Sequence, residues 1–191
     1  VGGETPLCRS DILFHQLVME VPEFIDSCEK LGLRYTNLMP DKINQESGQG
    51  RNWRSTLGVT DRLSAEELLS DLNYHWEWKK DGALSVTTSV LPAVRKLSGG
   101  RSVFFNQLIA AYRGWEFNQE GKDSPVCFGD GTKISNRDMD IVIRLADQLS
   151  YDLIWEQGDI AIINNFLVMH GRKPYQGKRS ILASLAVGSN Y

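Results

Sequence analysis

From residue 151 onward the chain is a succession of short apolar runs cut by glycine turns. "YDLIWE", "DIAIINNFLVM" and "SILASLAV" are separated by Gln157-Gly158-Asp159 and by Gln176-Gly177. Further upstream, "HWEW", "LSVTTSVLPAVR" and "SVFFN" are set off by Asp81-Gly82, Gly99-Gly100 and Gly129-Asp130-Gly131. Runs of this length, rich in β-branched and aromatic residues and bounded by turn signals, predict strands joined by hairpins. Strands at such short intervals predict a sandwich or barrel of jelly-roll type, decorated by helices. The fold class read from the pattern is therefore mainly β with helices (α+β).

The helical signals are few. "PEFIDSCEKLGL" places Phe24, Ile25, Cys28 and Leu31 at helical spacing, and Gly32 is a natural stop. Ser64 and Glu67 form a capping box ahead of Leu68, Leu69 and Leu72, and Ser135 with Asp138 has the same form ahead of Met139, Ile141, Val142, Leu145 and Leu149. "SDILFHQLVME" reads as a helix with His15 in a structural place. Residues 40–56, "PDKINQESGQGRNWRST", are polar and glycine-rich and read as a long mobile loop.

At 191 residues the chain predicts one domain, 1–191. A net charge of −3 without a sustained basic run argues against a nucleic-acid partner. No apolar run approaches the roughly 18–20 residues that cross a bilayer. Three scattered cysteines, Cys8, Cys28 and Cys127, lack a C-x-x-C pair and fit reduced thiols in a cytoplasmic compartment. No serine sits in a G-x-S-x-G elbow, which disfavours a hydrolase. The five tryptophans are scattered, as core or rim residues would be.

The chemistry concentrates in "INNFLVMHGRKPYQGKR", residues 163–179. An apolar strand ends on His170, at the mouth of a barrel rather than in its middle. Alone, such a histidine reads as a hydrogen-bonded rim residue. Its neighbours change the weighing. Arg179 follows the Gly177 turn at the start of the next run, so a hairpin would bring it back beside the strand that ends at His170. A neutral imidazole can bind a metal, and an arginine fork can hold a carboxylate in a bidentate pair. The two together suit a 2-oxo acid gripped at both ends, and Arg172 and Lys173 add positive potential at the mouth.

Five stretches together resemble one family. They are "GGETPL" at 2–7, "VFFNQLIAAYRGW" at 103–115, "FGDG" at 128–131, "GDIAIINNFLVMHGR" at 158–172 and "KRSILASL" at 178–185. In this order they are similar to the Fe(II)/2-oxoglutarate dioxygenases of the taurine dioxygenase/clavaminate synthase-like (TauD/TfdA-like) group. The resemblance implies a double-stranded β-helix that holds iron by two histidines and a carboxylate, with positions left for 2-oxoglutarate and O2. It implies that His170 is the distal iron ligand and that Arg179 binds the far carboxylate of 2-oxoglutarate. It implies that Thr5 supports the same co-substrate. It implies that Asn106, in the FN motif, faces the substrate, and it puts Arg172 in the H-G-R signature, as a substrate contact or as a loop-fixing ion pair. The substrate so implied is a small polar molecule, hydroxylated or otherwise oxidised at a C–H bond.

The chain departs from the family at one point. The other two iron ligands come from an H-x-D or H-x-E motif some tens of residues before GGETP, and here GGETP begins at Gly2. The expectation is an N-terminal part, bearing that motif, outside these 191 residues, and hence a jelly roll incomplete at its N-terminal end. His75-Trp76-Glu77 has the right letters but follows GGETP, and strand alternation explains it equally well. The competing expectation is a catalytically inactive member that binds a small acid or a protein without iron.

Overall fold

In a computed structural model of the chain, residues 2–42, 51–114, 124–178 and 180–186 are described. The elements run β1 (Thr5–Arg9), α1 (Ser10–Glu20), α2 (Pro22–Leu31), β2 (Leu33–Met39), α3 (Trp53–Leu57) and α4 (Arg62–Asp71). Then come β3 (His75–Trp78), β4 (Leu84–Thr87), β5 (Arg95–Lys96), β6 (Ser102–Val103) and α5 (Leu108–Gly114). The last are β7 (Val126–Phe128), α6 (Asn136–Leu149), β8 (Tyr151–Leu153) and β9 (Val168–His170). Every strand pairing is antiparallel. The architecture is mixed helix and antiparallel sheet. None of the described helices is long and apolar enough to cross a membrane.

The chain divides into two compact units. The first comprises Val1–Pro22, Val94–Phe105 and Asp140–Tyr191, and the second Glu23–Ala93 and Asn106–Met139.

In the first unit, β1 is the centre of a three-stranded sheet ordered β8-β1-β9. Leu7 and Cys8 of β1 are buried, as are Leu13, Phe14 and Leu17 along one side of α1. The i, i+3/i+4 spacing of those three residues makes α1 a core helix, and His15 falls on its exposed side. Ser10 ties the start of α1 to residues far along the chain. Its N–H donates to the Leu167 carbonyl at 2.9 Å and its hydroxyl to the Phe166 carbonyl at 2.7 Å.

In the second unit the sheet order is β3-β4-β2-β7. Met39, Trp53, Ala65, Leu69, Leu84 and Val86 form a buried cluster, flanked by Trp76 and Trp78. The Trp53 and Trp78 rings meet edge to face, with centroids 5.0 Å apart. α2 ends as expected at Gly32, whose φ of +64° lies in the left-handed region that closes helices. The FGDG motif has a nonlocal cause. Gly129 donates its N–H to the Gly32 carbonyl at 3.1 Å, and a Cβ at Gly129 would stand 2.0 Å from the Leu31 carbonyl oxygen. Only glycine lets the two backbones approach so closely.

Several sequence expectations shift. α4 is capped by Asp61, whose carboxylate accepts from the Ser64 N–H at 3.0 Å, so the helix starts before the expected Ser64 cap. Ser135 does cap α6: its hydroxyl accepts from the Asp138 N–H at 3.0 Å and donates to the Asp138 carboxylate at 2.7 Å. Residues 53–56, expected in a loop, belong to α3, because the Asn52 side chain caps the helix and Trp53 is drawn into the core. Of the 40–56 stretch, residues 43–50 lie outside the described residues. "DIAIINNFLVM" contributes strand only at Val168 and Met169, the start of β9, and the described part of "SILASLAV" contributes none. There Ile160 is 89% exposed, Ile162 97%, Leu182 94% and Leu185 95%. Alternating apolar residues make a strand only where a neighbouring strand accepts their backbone bonds and a layer covers their side chains.

A candidate co-substrate cleft on the three-stranded sheet

The candidate site grows out of the register of β1. Leu7 on β1 lies opposite His170 on β9, and Thr5 lies opposite Leu153 on β8. Beyond β9 the ladder continues, with the Gly171 N–H donating to the Pro6 carbonyl and the Lys173 N–H to the Glu4 carbonyl, both at 3.1 Å. Residues opposite one another share a face, and i and i+2 share a face along a strand. Thr5, Leu7, His170 and Arg172 therefore belong to one face of the sheet. Thr5 and His170 are diagonal neighbours, a relation that sets residues about 7–8 Å apart.

That face borders a cleft of about 580 Å³ whose lining includes Thr5, Trp155, Asn165, His170, Arg172 and Tyr175. Its remaining wall carries Ile163 and the apolar and serine side chains of 180–185. Thr5 is buried, and its hydroxyl accepts a hydrogen bond from the Trp155 indole N–H at 2.8 Å. A hydroxyl has one proton and two lone pairs, so this contact leaves its proton available to an anion in the cleft.

His170 and Arg172 are exposed along the cleft wall. The ion pair next to Arg172 is made instead by Lys173 with Asp152 across the sheet, and this partner holds the Lys173 ammonium above its ordinary pKa. Among the described residues Arg172 has no carboxylate partner, which leaves its guanidinium to the cleft. The turn at the start of the chain is held to the same region, with Gly2 bridged to Tyr175.

The structure thus brings together Thr5, His170 and Arg172. Arg179 lies outside the described residues. Asn106 belongs to the second unit, where its amide donates to the Ala93 carbonyl at 3.0 Å and its side-chain oxygen accepts from the Leu108 N–H at 3.0 Å, at the entry to α5. His75 and Glu77 are exposed on β3, and Glu77 pairs with Lys79 at 2.7 Å, as strand alternation predicts. Sequence reasoning missed Trp155 as the partner of Thr5. No local signal marks it, since the two stand 150 positions apart.

Iron in the implied two-histidine, one-carboxylate site needs three protein ligands in fixed geometry. Among the described residues no group of three His, Cys, Asp or Glu side chains could hold a metal ion. His170 offers one imidazole, one of the three protein ligands that such a site requires.

The family model described as taurine catabolism dioxygenase TauD, TfdA family matches residues 1–185. A clavaminate synthase-like protein of Arabidopsis thaliana is 33% identical over 185 residues, covering 96% of this chain and 56% of that protein. The dapdiamide synthesis protein DdaC of Enterobacter agglomerans is 24% identical over 202 residues, covering 96% of this chain and 56% of that protein. The chain spans about half the length of these curated relatives. With nearly all of its residues matched in order, the chain belongs to the TauD/TfdA, clavaminate synthase-like family.

Proposed function

We propose that this chain forms the part of an Fe(II)/2-oxoglutarate oxygenase that offers one iron ligand, His170, and cradles the co-substrate. The reaction would be oxidative decarboxylation of 2-oxoglutarate coupled to oxidation of a C–H bond in a small polar molecule. In its hydroxylating form it consumes O2, 2-oxoglutarate and substrate, and yields succinate, CO2 and the alcohol. The fold that goes with this reading is the double-stranded β-helix. The two further ligands come, on this reading, from polypeptide outside the described residues.

The observation that carries the reading is the shared face of Thr5 and His170 on one cleft. In this assignment the Thr5 hydroxyl, oriented by Trp155, donates to the far carboxylate of 2-oxoglutarate, and Arg179 pairs with that carboxylate. Arg172 adds positive potential at the mouth. Binding and orientation are what these side chains supply.

The test is succinate release from 2-oxoglutarate with added Fe(II), by the protein expressed from its own gene. Succinate should form, and His170→Ala should abolish both iron binding and turnover. Arg179→Ala should mainly raise the 2-oxoglutarate concentration required. Equal iron affinity in wild type and His170→Ala removes the metal assignment. The second reading is an inactive member that binds a small acid without iron. It is selected if 2-oxoglutarate binds by calorimetry in metal-free buffer while no succinate forms in the presence of Fe(II).

A further inference from the structure

A second concavity of the first unit has a different chemistry. It measures about 380 Å³ and lies between the β5–β6 hairpin and the turn that precedes β9. Arg95, Lys96 and Arg101 line it, with Leu97, Phe166 and Leu167 as its apolar wall. Among the described residues no acidic side chain lines it, and none of its lining residues lines the His170 cleft.

Arg95 is held in place by aromatic rings rather than by a carboxylate. The Arg95 guanidinium carbon stands 5.1 Å from the centroid of the Phe105 ring and 5.6 Å from that of Phe166, and the two rings are themselves 4.9 Å apart. Stacking on ring faces fixes a guanidinium while leaving its N–H edge free to bond. Among the described residues neither Arg95 nor Lys96 has a carboxylate partner. Arg101 approaches Asp11 at 3.6 Å, but that carboxylate is engaged by Arg9 at 2.6 Å, so one negative charge is divided between two arginines.

The walls are also fixed. The Leu97 N–H donates to the Arg101 carbonyl at 2.8 Å, and the Gly100 N–H to the Leu97 carbonyl at 3.1 Å, closing the hairpin tip. Opposite, the Phe166 N–H donates to the Asn164 side chain at 3.0 Å, and the Phe166 carbonyl accepts from Ser10. Three cationic residues lining one recess favour a dianion over a single carboxylate, and the aromatic and leucine wall favours a ligand with an apolar body.

We propose that this recess is a binding site for a phosphate monoester with an apolar or aromatic body, with Arg95, Lys96 and Arg101 around the phosphate and Phe166 against the body.

Phenyl phosphate is the probe, titrated into the isotopically labelled protein and followed by backbone amide shifts, with inorganic phosphate in a parallel arm. The expected result is a saturable shift confined to residues 97–101 and 166–167. Inorganic phosphate should bind more weakly at the same amides. Arg95→Gln should raise the dissociation constant at least about tenfold. Lys96→Gln, at an exposed position whose loss should leave the hairpin intact, should weaken binding in the same direction. The proposal is overturned if phenyl phosphate gives no saturable shift up to about 10 mM. It is overturned equally if both variants bind like wild type, or if the two probes bind alike and shift amides over the whole surface.

Discussion

The indole N–H of Trp155 donates to the hydroxyl of Thr5 at 2.8 Å, joining the start of the described chain to a residue 150 positions later. β8 makes the contact possible, because Leu153 pairs with Thr5 and sets the chain just past the strand end beside the threonine. Donation from the indole polarises the hydroxyl and restricts its rotation, so its proton is directed elsewhere.

In an active oxygenase, Thr5→Val should therefore raise the 2-oxoglutarate concentration at half-maximal succinate release by about ten- to a hundredfold, as expected for losing a hydrogen bond to a charged group. Thr5→Ser keeps the hydroxyl and should stay close to wild type. Equal half-saturation in the valine and wild-type proteins would detach Thr5 from the co-substrate.

Trp53 is the buried anchor of the second unit. Its ring packs on Trp78, its indole N–H donates to the Asp41 carboxylate at 3.2 Å, and the Arg54 guanidinium carbon lies 4.0 Å above its centroid. Trp53→Ala should cost about 3–5 kcal/mol of stability in urea unfolding, and Trp53→Phe, which restores most of the volume but not the hydrogen bond, clearly less. Matching midpoints for the alanine variant and wild type would contradict the packing described.

The three thiols should separate by burial. None is in a disulfide. Cys28 is 1% exposed, and burial, with Asp138 and Glu29 adding to it, pushes its pKa up to about 12. Burial also raises the Cys8 thiol. Cys127 is only half-buried. In the folded protein at pH 8, a thiol-specific disulfide reagent should modify Cys127 rapidly and the other two only on unfolding. The sign of the pH effect follows from the raised folded value. The contribution of Cys28 to stability is whole below the ordinary thiol pKa of about 8.5 and is lost as pH rises from there towards the folded value. Urea midpoints should fall between pH 8 and pH 10.5 more in wild type than in Cys28→Ala.

What the sequence made legible was local. The Ser135–Asp138 cap and the Gly32 stop are written in neighbouring residues, and both form as expected. The start of α4 was displaced because Asp61 and Ser64 are both good caps three positions apart, and the carboxylate takes the Ser64 N–H. β2 was missed because Arg34, Thr36 and Asn37 break up the apolar signal of "LRYTNLM". The runs "DIAII" and "SILASLAV" were read as strands from their apolar composition and flanking turn signals, although a strand also needs partners. The motifs singled out His170 and Thr5, and the strand register sets both on one face of the sheet. The indole beside Thr5 and the backbone approach that requires Gly129 exist only after the chain has folded back on itself.

The pairing of Leu7 with His170 makes the cleft a matter of parity rather than of distance along the chain. Sliding β9 by a single residue against β1 would turn the imidazole to the opposite side of the sheet and present Met169 or Gly171 in its place. Deleting one residue between Leu167 and His170 is thus a harsher lesion than replacing any one side chain there, since it exchanges the whole inward set for the outward one while leaving the composition almost unchanged.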